Sequence, residues 1–195
     1  MKIVLASNNP GKLAELQAML APLGVELLPQ GALGVGEAEE PYCTFVENAL
    51  AKARFAAQHT GLPALADDAG LCVDAFGGLP GVQTAYYATQ FGYAKGDANN
   101  VRALLEQMRG ITDRRAALVS TLVAVRSPQD PEPLIAVGRA SGRDHRSAAR
   151  QPRLRLRPRD VPARTRQNLC RAAARSQKRA QPPRPGRAAD DAAAA

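Results

Sequence analysis

Lys2-Ile3-Val4-Leu5-Ala6-Ser7-Asn8-Asn9-Pro10-Gly11-Lys12 opens the chain, and the fold is decided there. A short β-branched apolar run, Lys2 to Ala6, predicts a buried strand that ends at the turn formers Ser7 to Gly11. Leu13, Leu16, Met19, Leu20 and Leu23 then recur at helical spacing, with Pro10-Gly11 at the helix mouth. Strand, polar turn and helix make a βα unit. The amides of such a turn and helix start form an anion site, to which Lys12 adds a positive charge. An ordinary βα turn with a surface lysine has the same signature. The Gly-x4-Gly-Lys-Ser/Thr spacing of a Walker loop is absent.

Outward from this unit, Val25 to Leu28 reads as a second strand and Gly31 to Tyr42 as a loop holding Glu37, Glu39 and Glu40. Thr44-x-x-Glu47 is a capping box opening a helix to about Thr60, with Phe45, Ala49, Ala53 and Ala56 as its apolar face and Gly61 as its stop. Asn48 and Lys52 share one side of that helix at i, i+4. This side is either a surface salt-bridge face or part of a site. Ala66-Asp67-Asp68-Ala69-Gly70 interrupts an apolar segment with two carboxylates, and burying them requires partners. With no His or Cys nearby, a hard cation, Mg²⁺ or Mn²⁺, suits them, and a pair of turn-capping aspartates is the plainer alternative. Gly77 to Gly81 is a tight turn. Tyr86, Tyr87, Phe91 and Tyr93 could stack on a base, though an aromatic cluster is more often core or dimer interface. Asp97 to Arg109 is an amphipathic helix, and Ala116 to Arg126 with Leu134 to Arg139 form an antiparallel hairpin.

The 195 residues suffice for one domain with an appendage. No run approaches the about 20 apolar residues of a membrane span, and none resembles a secretory signal, so a cytoplasmic location is expected. Cys43, Cys72 and Cys170 are too few and too dispersed for a disulfide framework or a zinc site, and read as buried small hydrophobes. The net charge of +8 is unevenly placed: residues 1–139 carry −3 and residues 140–195 carry +11. All eight aromatic residues precede position 94. Two compositions are therefore joined near residue 140, and the basic one would bind nucleic acid nonspecifically.

Ser7 to Lys12, Glu39-Glu40, Thr44 to Ala49 with Lys52-Ala53, Ala66 to Leu71, and Gly77 to Gly81 together resemble the inosine/xanthosine triphosphate pyrophosphatase family. The resemblance implies an α/β fold with a mixed central sheet flanked by helices and a nucleotide cleft. It also implies Mg²⁺-dependent hydrolysis of XTP, ITP and dITP to monophosphate and pyrophosphate, a house-cleaning activity, in a homodimer. By the same resemblance, Ser7, Asn8, Asn9, Pro10, Gly11 and Lys12 form the first nucleotide loop, with Asn9 and Lys12 on the phosphates. Glu39, or its neighbour Glu40, and Asp68 hold the metal. Asp68 is also the base, and Lys52 and Asn48 face the pocket. Ala69 stands where many relatives have serine, so its substrate contact falls to the backbone. Tyr86 stands where some relatives have arginine.

After Arg139 the family's remaining motifs are missing. A one-base shift restores them in order when degenerate codon positions are chosen to suit. Arg153 to Arg159 then reads Gly-Phe-Gly-Phe-Asp-Pro, Arg164 to Ala172 contains Gly-Lys-Thr, and Lys178 to Arg184 ends in Ser-His-Arg. The expected organisation is thus a pyrophosphatase domain over 1–139 and an out-of-frame tail over 140–195. The tail is too poor in apolar groups to order, and activity should be impaired. Resequencing the gene checks this: a slip is expected between Arg139 and Gly142, and an in-frame read through that stretch overturns it.

Overall fold

The computed structural model describes residues 1–143. They form a five-stranded mixed sheet with helices on both faces, as the resemblance implied. The strands are β1 (Lys2–Leu5), β2 (Glu26–Pro29), β3 (Ala64–Val73), β4 (Arg115–Val125) and β5 (Leu134–Arg143), and the helices are α1 (Pro10–Leu20), α2 (Phe45–Thr60) and α3 (Asp97–Gln107). The sheet order is β2-β1-β3-β4-β5. β1 is parallel to both β2 and β3, and the remaining pairs are antiparallel.

Strand alternation sorts the core into layers. Ile3, Leu5, Leu27 and Leu65 meet Leu16 and Leu20 of α1, whereas Val4, Ala64, Ala66, Val123 and Val125 meet Ala49, Ala53, Ala56 and Ala57 of α2. A third cluster gathers Leu71, Val73, Tyr87, Ala103, Leu104 and Met108 under α3. α1 and α2 thus cover opposite faces, and the chain leaves β1 toward β2 but leaves β3 toward β4, in opposite directions across the sheet. The crevice beyond the end of β1, beside the middle of β3, is therefore a topological switch point, where α/β sheets commonly bind ligands. β1 pairs with β3 only through Val4–Ala64 and Leu5–Leu65, so beyond Leu65 that side of β3 is open.

Local signals match the observed boundaries. Thr44 caps α2, accepting from the Glu47 amide at 3.4 Å and donating to the Glu47 carboxylate. Gly61 closes it with φ of 68°. In the β4–β5 turn, buried Asp130 accepts from the Arg126 amide, the Arg126 guanidinium and the Glu132 amide. The Arg126 hydrogen bond, first among the causes, holds its carboxyl well below the usual carboxylate range.

The structure corrects two expectations, for the end of the hairpin and for the cysteines, and decides two open alternatives. The second hairpin strand runs to Arg143, past the expected boundary at residue 139, because β4 offers a partner at every position from Ala124 to Arg115. Asp67 and Asp68 lie inside β3 rather than in a turn. The aromatic group is divided: Tyr87 is core, whereas Tyr86 is exposed beneath the Lys95 ammonium. Cys43 is exposed rather than buried, and Cys72 is half-buried. Expectations for the tail after residue 143, including its disorder, shifted-frame motifs and polyanion surface, lie outside the described residues. Among the described residues no helix is long and apolar enough to cross a membrane.

Gly70 allows the segment Gly81–Phe91 to close against β3. A Cβ there would lie 2.1 Å from the Gly81 carbonyl oxygen and 2.9 Å from the Phe45 ring. Thr84 fastens the contact, donating to Gly81 O at 2.6 Å and accepting from the Leu71 amide at 2.8 Å. Gly70→Ala is expected to destabilise the protein by about 3 kcal/mol, read as a lower urea midpoint, because backbone must move to admit the methyl.

Candidate functional site

The switch-point crevice collects residues from three segments. The 7–12 turn leaves β1, the strand interior Asp67–Asp68 borders it, and α2 supplies Asn48 and Lys52. The turn is built by its own side chains. The Asn9 side chain accepts from the amides of Gly11 (2.9 Å) and Lys12 (3.3 Å), and the Leu13 amide bonds to the Asn9 carbonyl at 3.1 Å. Ser7 Oγ accepts from the Asn9 amide at 3.2 Å. Asn8 reaches across to the Gly31 amide at 2.9 Å and ties the turn to the chain after β2. The sequence predicted free amides at this helix mouth; instead Asn9 occupies them, as an N-cap asparagine does.

Adjacent residues on a strand point to opposite faces, and this separates the two aspartates. Asp67 shares its face with Leu65 and meets Lys12 from α1 at 2.7 Å. Asp68 shares its face with Ala66 and meets α2: Asn48 Nδ2 donates to it at 3.3 Å, and Lys52 Nζ lies 3.8 Å away. Lys52 also pairs with Glu40 at 2.5 Å. An ammonium thus stands between two carboxylates, one from the acidic loop and one from the sheet. Lys12 and Lys52 serve different acids, a division that alternation along Ala64–Val73 would have shown once Asp67-Asp68 was placed within a strand.

Asp68 is 7% exposed. Burial pushes its carboxyl above the ordinary aspartate range, and the nearby Lys52 ammonium opposes this. Glu40 raises it further, whereas hydrogen bonds from Asn48 and the Ala69 amide lower it. The Ala69 amide donates to Asp68 Oδ1 at 3.0 Å.

Of the predicted residues, the structure brings Asp68, Lys52 and Glu40 together, and sets Lys12 beside Asp67. Ser7, Asn8, Asn9, Pro10 and Gly11 form the adjoining turn. Glu39 is solvent-exposed on the acidic loop. One residue to which no site role was given emerges, Asp67, and Asn48, which the resemblance turned toward the pocket, is seen at the site. Asp67 holds Lys12, and Asn48, 1% exposed, is buried against Asp68 rather than lying on a surface face. Its i, i+4 spacing to Lys52 was the available signal.

The donor set near Asp68 is all oxygen and carries two carboxylates that already attract a cation, which suits Mg²⁺ or Mn²⁺. Among the described residues no three His, Cys, Asp or Glu side chains form a complete cage. Mg²⁺ bound with a nucleotide needs none, since one or two carboxylates plus phosphate oxygens and water suffice.

The raised pKa has a consequence for stability. A carboxyl whose folded pKa lies above its unfolded value, about 3.9, favours folding only while protonated; this contribution is present below the unfolded pKa and lost as pH rises through the folded one. In metal-free buffer Asp68→Asn should therefore melt above the wild type at pH 7, with the gap narrowing toward pH 3. Thermal melts across that range check the sign.

Known proteins resemble this chain in sequence and in fold. Residues 3–151 match the sequence profile of the Ham1 family. A dITP/XTP pyrophosphatase of Acidovorax sp. (strain JS42) is 84% identical over 153 residues, covering 78% of this chain and 73% of that protein. A solved HAM1 protein from Coxiella burnetii superposes with a TM-score of 0.77 at 33% identity, covering 92% of this chain and all of that one. A solved nucleoside-triphosphatase / dITP/XTP pyrophosphatase from Mycobacterium abscessus is similar at 42% identity and a TM-score of 0.64, covering 77% of this chain and 76% of that one. The profile spans the crevice and every strand of the sheet, and the chain belongs to the Ham1 family.

Proposed function

We propose that the chain is built to hydrolyse non-standard purine nucleoside triphosphates, dITP, XTP and ITP, to the monophosphate and pyrophosphate. The observation that carries this reading is a buried carboxylate, Asp68, held beside Lys52 in a switch-point crevice next to the cationic 7–12 turn. The relatives that are dITP/XTP pyrophosphatases supply dITP and XTP, and the family resemblance adds ITP.

Lys12, with the Ser7–Lys12 turn, receives the phosphates, and Lys52 neutralises charge on the reacting side. Asp68 accepts the proton from a water that attacks the α-phosphorus. The bond to the bridging oxygen breaks, and pyrophosphate leaves with that oxygen. The upward push on the Asp68 pKa suits this role, since a base works best when its pKa lies nearer the operating pH. Mg²⁺, or Mn²⁺, would be held by Asp68 and one acid of the loop and would supply charge neutralisation at the phosphates. Glu40 is favoured over Glu39 because it already shares Lys52 with Asp68. Ala69 would contribute its backbone to the substrate. The reading extends to a cytoplasmic homodimer, checked by light scattering.

The abrupt change from a net −3 to a net +11 at residue 140 supports the accompanying reading that residues 140–195 are out of frame and lack the base-holding motifs. This chain should then turn over slowly beside a frame-restored version. Pyrophosphate release from dITP, XTP, ITP and GTP with Mg²⁺ tests both statements. The frame-restored protein is expected to prefer the first three, and Asp68→Asn to lower its kcat by about 10²-fold or more. No release from the restored protein sinks the enzymatic reading. Full activity in the present chain sinks the impairment.

A further inference from the structure

We propose that Asn48 is a positioning residue that docks the acidic loop, residues 35–44, and Asp68 onto each other as one unit. The role of Asp68 as base rests on the proposed function; the docking does not.

The Asn48 amide is spent on three bonds. Its Oδ1 accepts from the Tyr42 amide at 3.0 Å, and its Nδ2 donates to the Tyr42 carbonyl at 3.1 Å and to Asp68 Oδ2 at 3.3 Å. With Tyr42 it reproduces the paired donor and acceptor that a neighbouring strand would offer. Residues 35–44 lie outside the sheet ladders, so this side-chain pairing replaces a backbone one. One helical turn later Lys52 bridges Glu40 of the same loop to Asp68. One face of α2 thus carries two links from the loop to the same carboxylate.

The side chain is specific to this task. Aspartate has no donor for the Tyr42 carbonyl and sets a second anion against Asp68. Alanine leaves both Tyr42 groups unpaired. Tyr42 is itself 47% exposed, so its freed backbone groups find water once the loop lifts. Release of the loop, rather than global unfolding, is therefore the expected response.

The test uses the full chain and limited chymotrypsin digestion under native conditions, following cleavage after Tyr42 against cleavage after Tyr86, which is 45% exposed in the segment Gly81–Phe91. Asn48→Asp and Asn48→Ala are expected to be cut after Tyr42 at least about tenfold faster, with Tyr86 cleavage and the urea midpoint little changed, as the loss of two hydrogen bonds in a fast local opening predicts. Asp68→Ala, which removes one bond of the amide, should accelerate the Tyr42 cut to a smaller degree. In the pyrophosphate assay Asn48→Ala should lower kcat with KM for dITP nearly unchanged. Unchanged Tyr42 cleavage in the Asn48 variants overturns the docking, as does equal acceleration at Tyr86. Unchanged Tyr42 cleavage in Asp68→Ala removes Asp68 from the unit. Should Asn48→Asp fail to fold, Asn48→Ala carries the same comparison. A frame-restored protein that releases no pyrophosphate counts against the proposed reaction, while the cleavage pattern still decides the docking.

Discussion

The early end of β1 is the constraint on which the crevice depends. Its last partner on β3 is Leu65, and the aspartates follow two and three residues later. Had β1 continued, its backbone would have covered that side of β3 and shut the space that the 7–12 turn borders on one face and α2 on the other. Ser7 to Pro10, with a proline that cannot donate, ends the strand and starts α1 together. The ladder lost on this side is retained on the other, where β4 pairs with β3 from Ala64 to Val73 and keeps Asp67 and Asp68 rigidly placed.

The second constraint is the strand period of two. It puts Asp67 on the α1 side and Asp68 on the α2 side, so two neighbouring carboxylates avoid facing one another and each acquires its own lysine. Buried like charges would otherwise have driven one of them neutral. The arrangement instead gives one acid, Asp67, a short contact that holds Lys12, and leaves Asp68 in a looser contact beside a lysine shared with Glu40.

Much of this could be read from the residues. Alternating or β-branched runs located β1, β2, β4 and β5 but not β3, and the Thr44–Glu47 box and Gly61 bounded α2 closely, because caps are local chemistry. What escaped was non-local. Whether Asn48 and Lys52 faced solvent or a site depended on β3 lying beneath α2, which no local spacing reveals. The choice between Glu39 and Glu40 depended on how an irregular loop returns toward α2. Asp67-Asp68 read equally well as a turn, since aspartates favour turns and only the β4 partner strand shows that the chain runs straight through them. The end of β5 was misplaced by four residues because an edge strand stops where its partner stops, and composition near residue 140 carried no trace of that.

The capped mouth of α1 bears on how an anion would be admitted. Asn9 already occupies the amides of Gly11 and Lys12 with its side-chain Oδ1. A phosphate arriving there exchanges a neutral acceptor for a charged one instead of filling an empty nest. The number of hydrogen bonds is conserved, so the net gain is the difference in strength between charge-assisted and ordinary bonds. Entry becomes a filter for charge: uncharged oxygen-rich solutes compete against Asn9 on equal terms and gain little, whereas a polyanion displaces it with profit. The turn is also folded before any ligand comes, so no ordering entropy is lost at the moment of encounter.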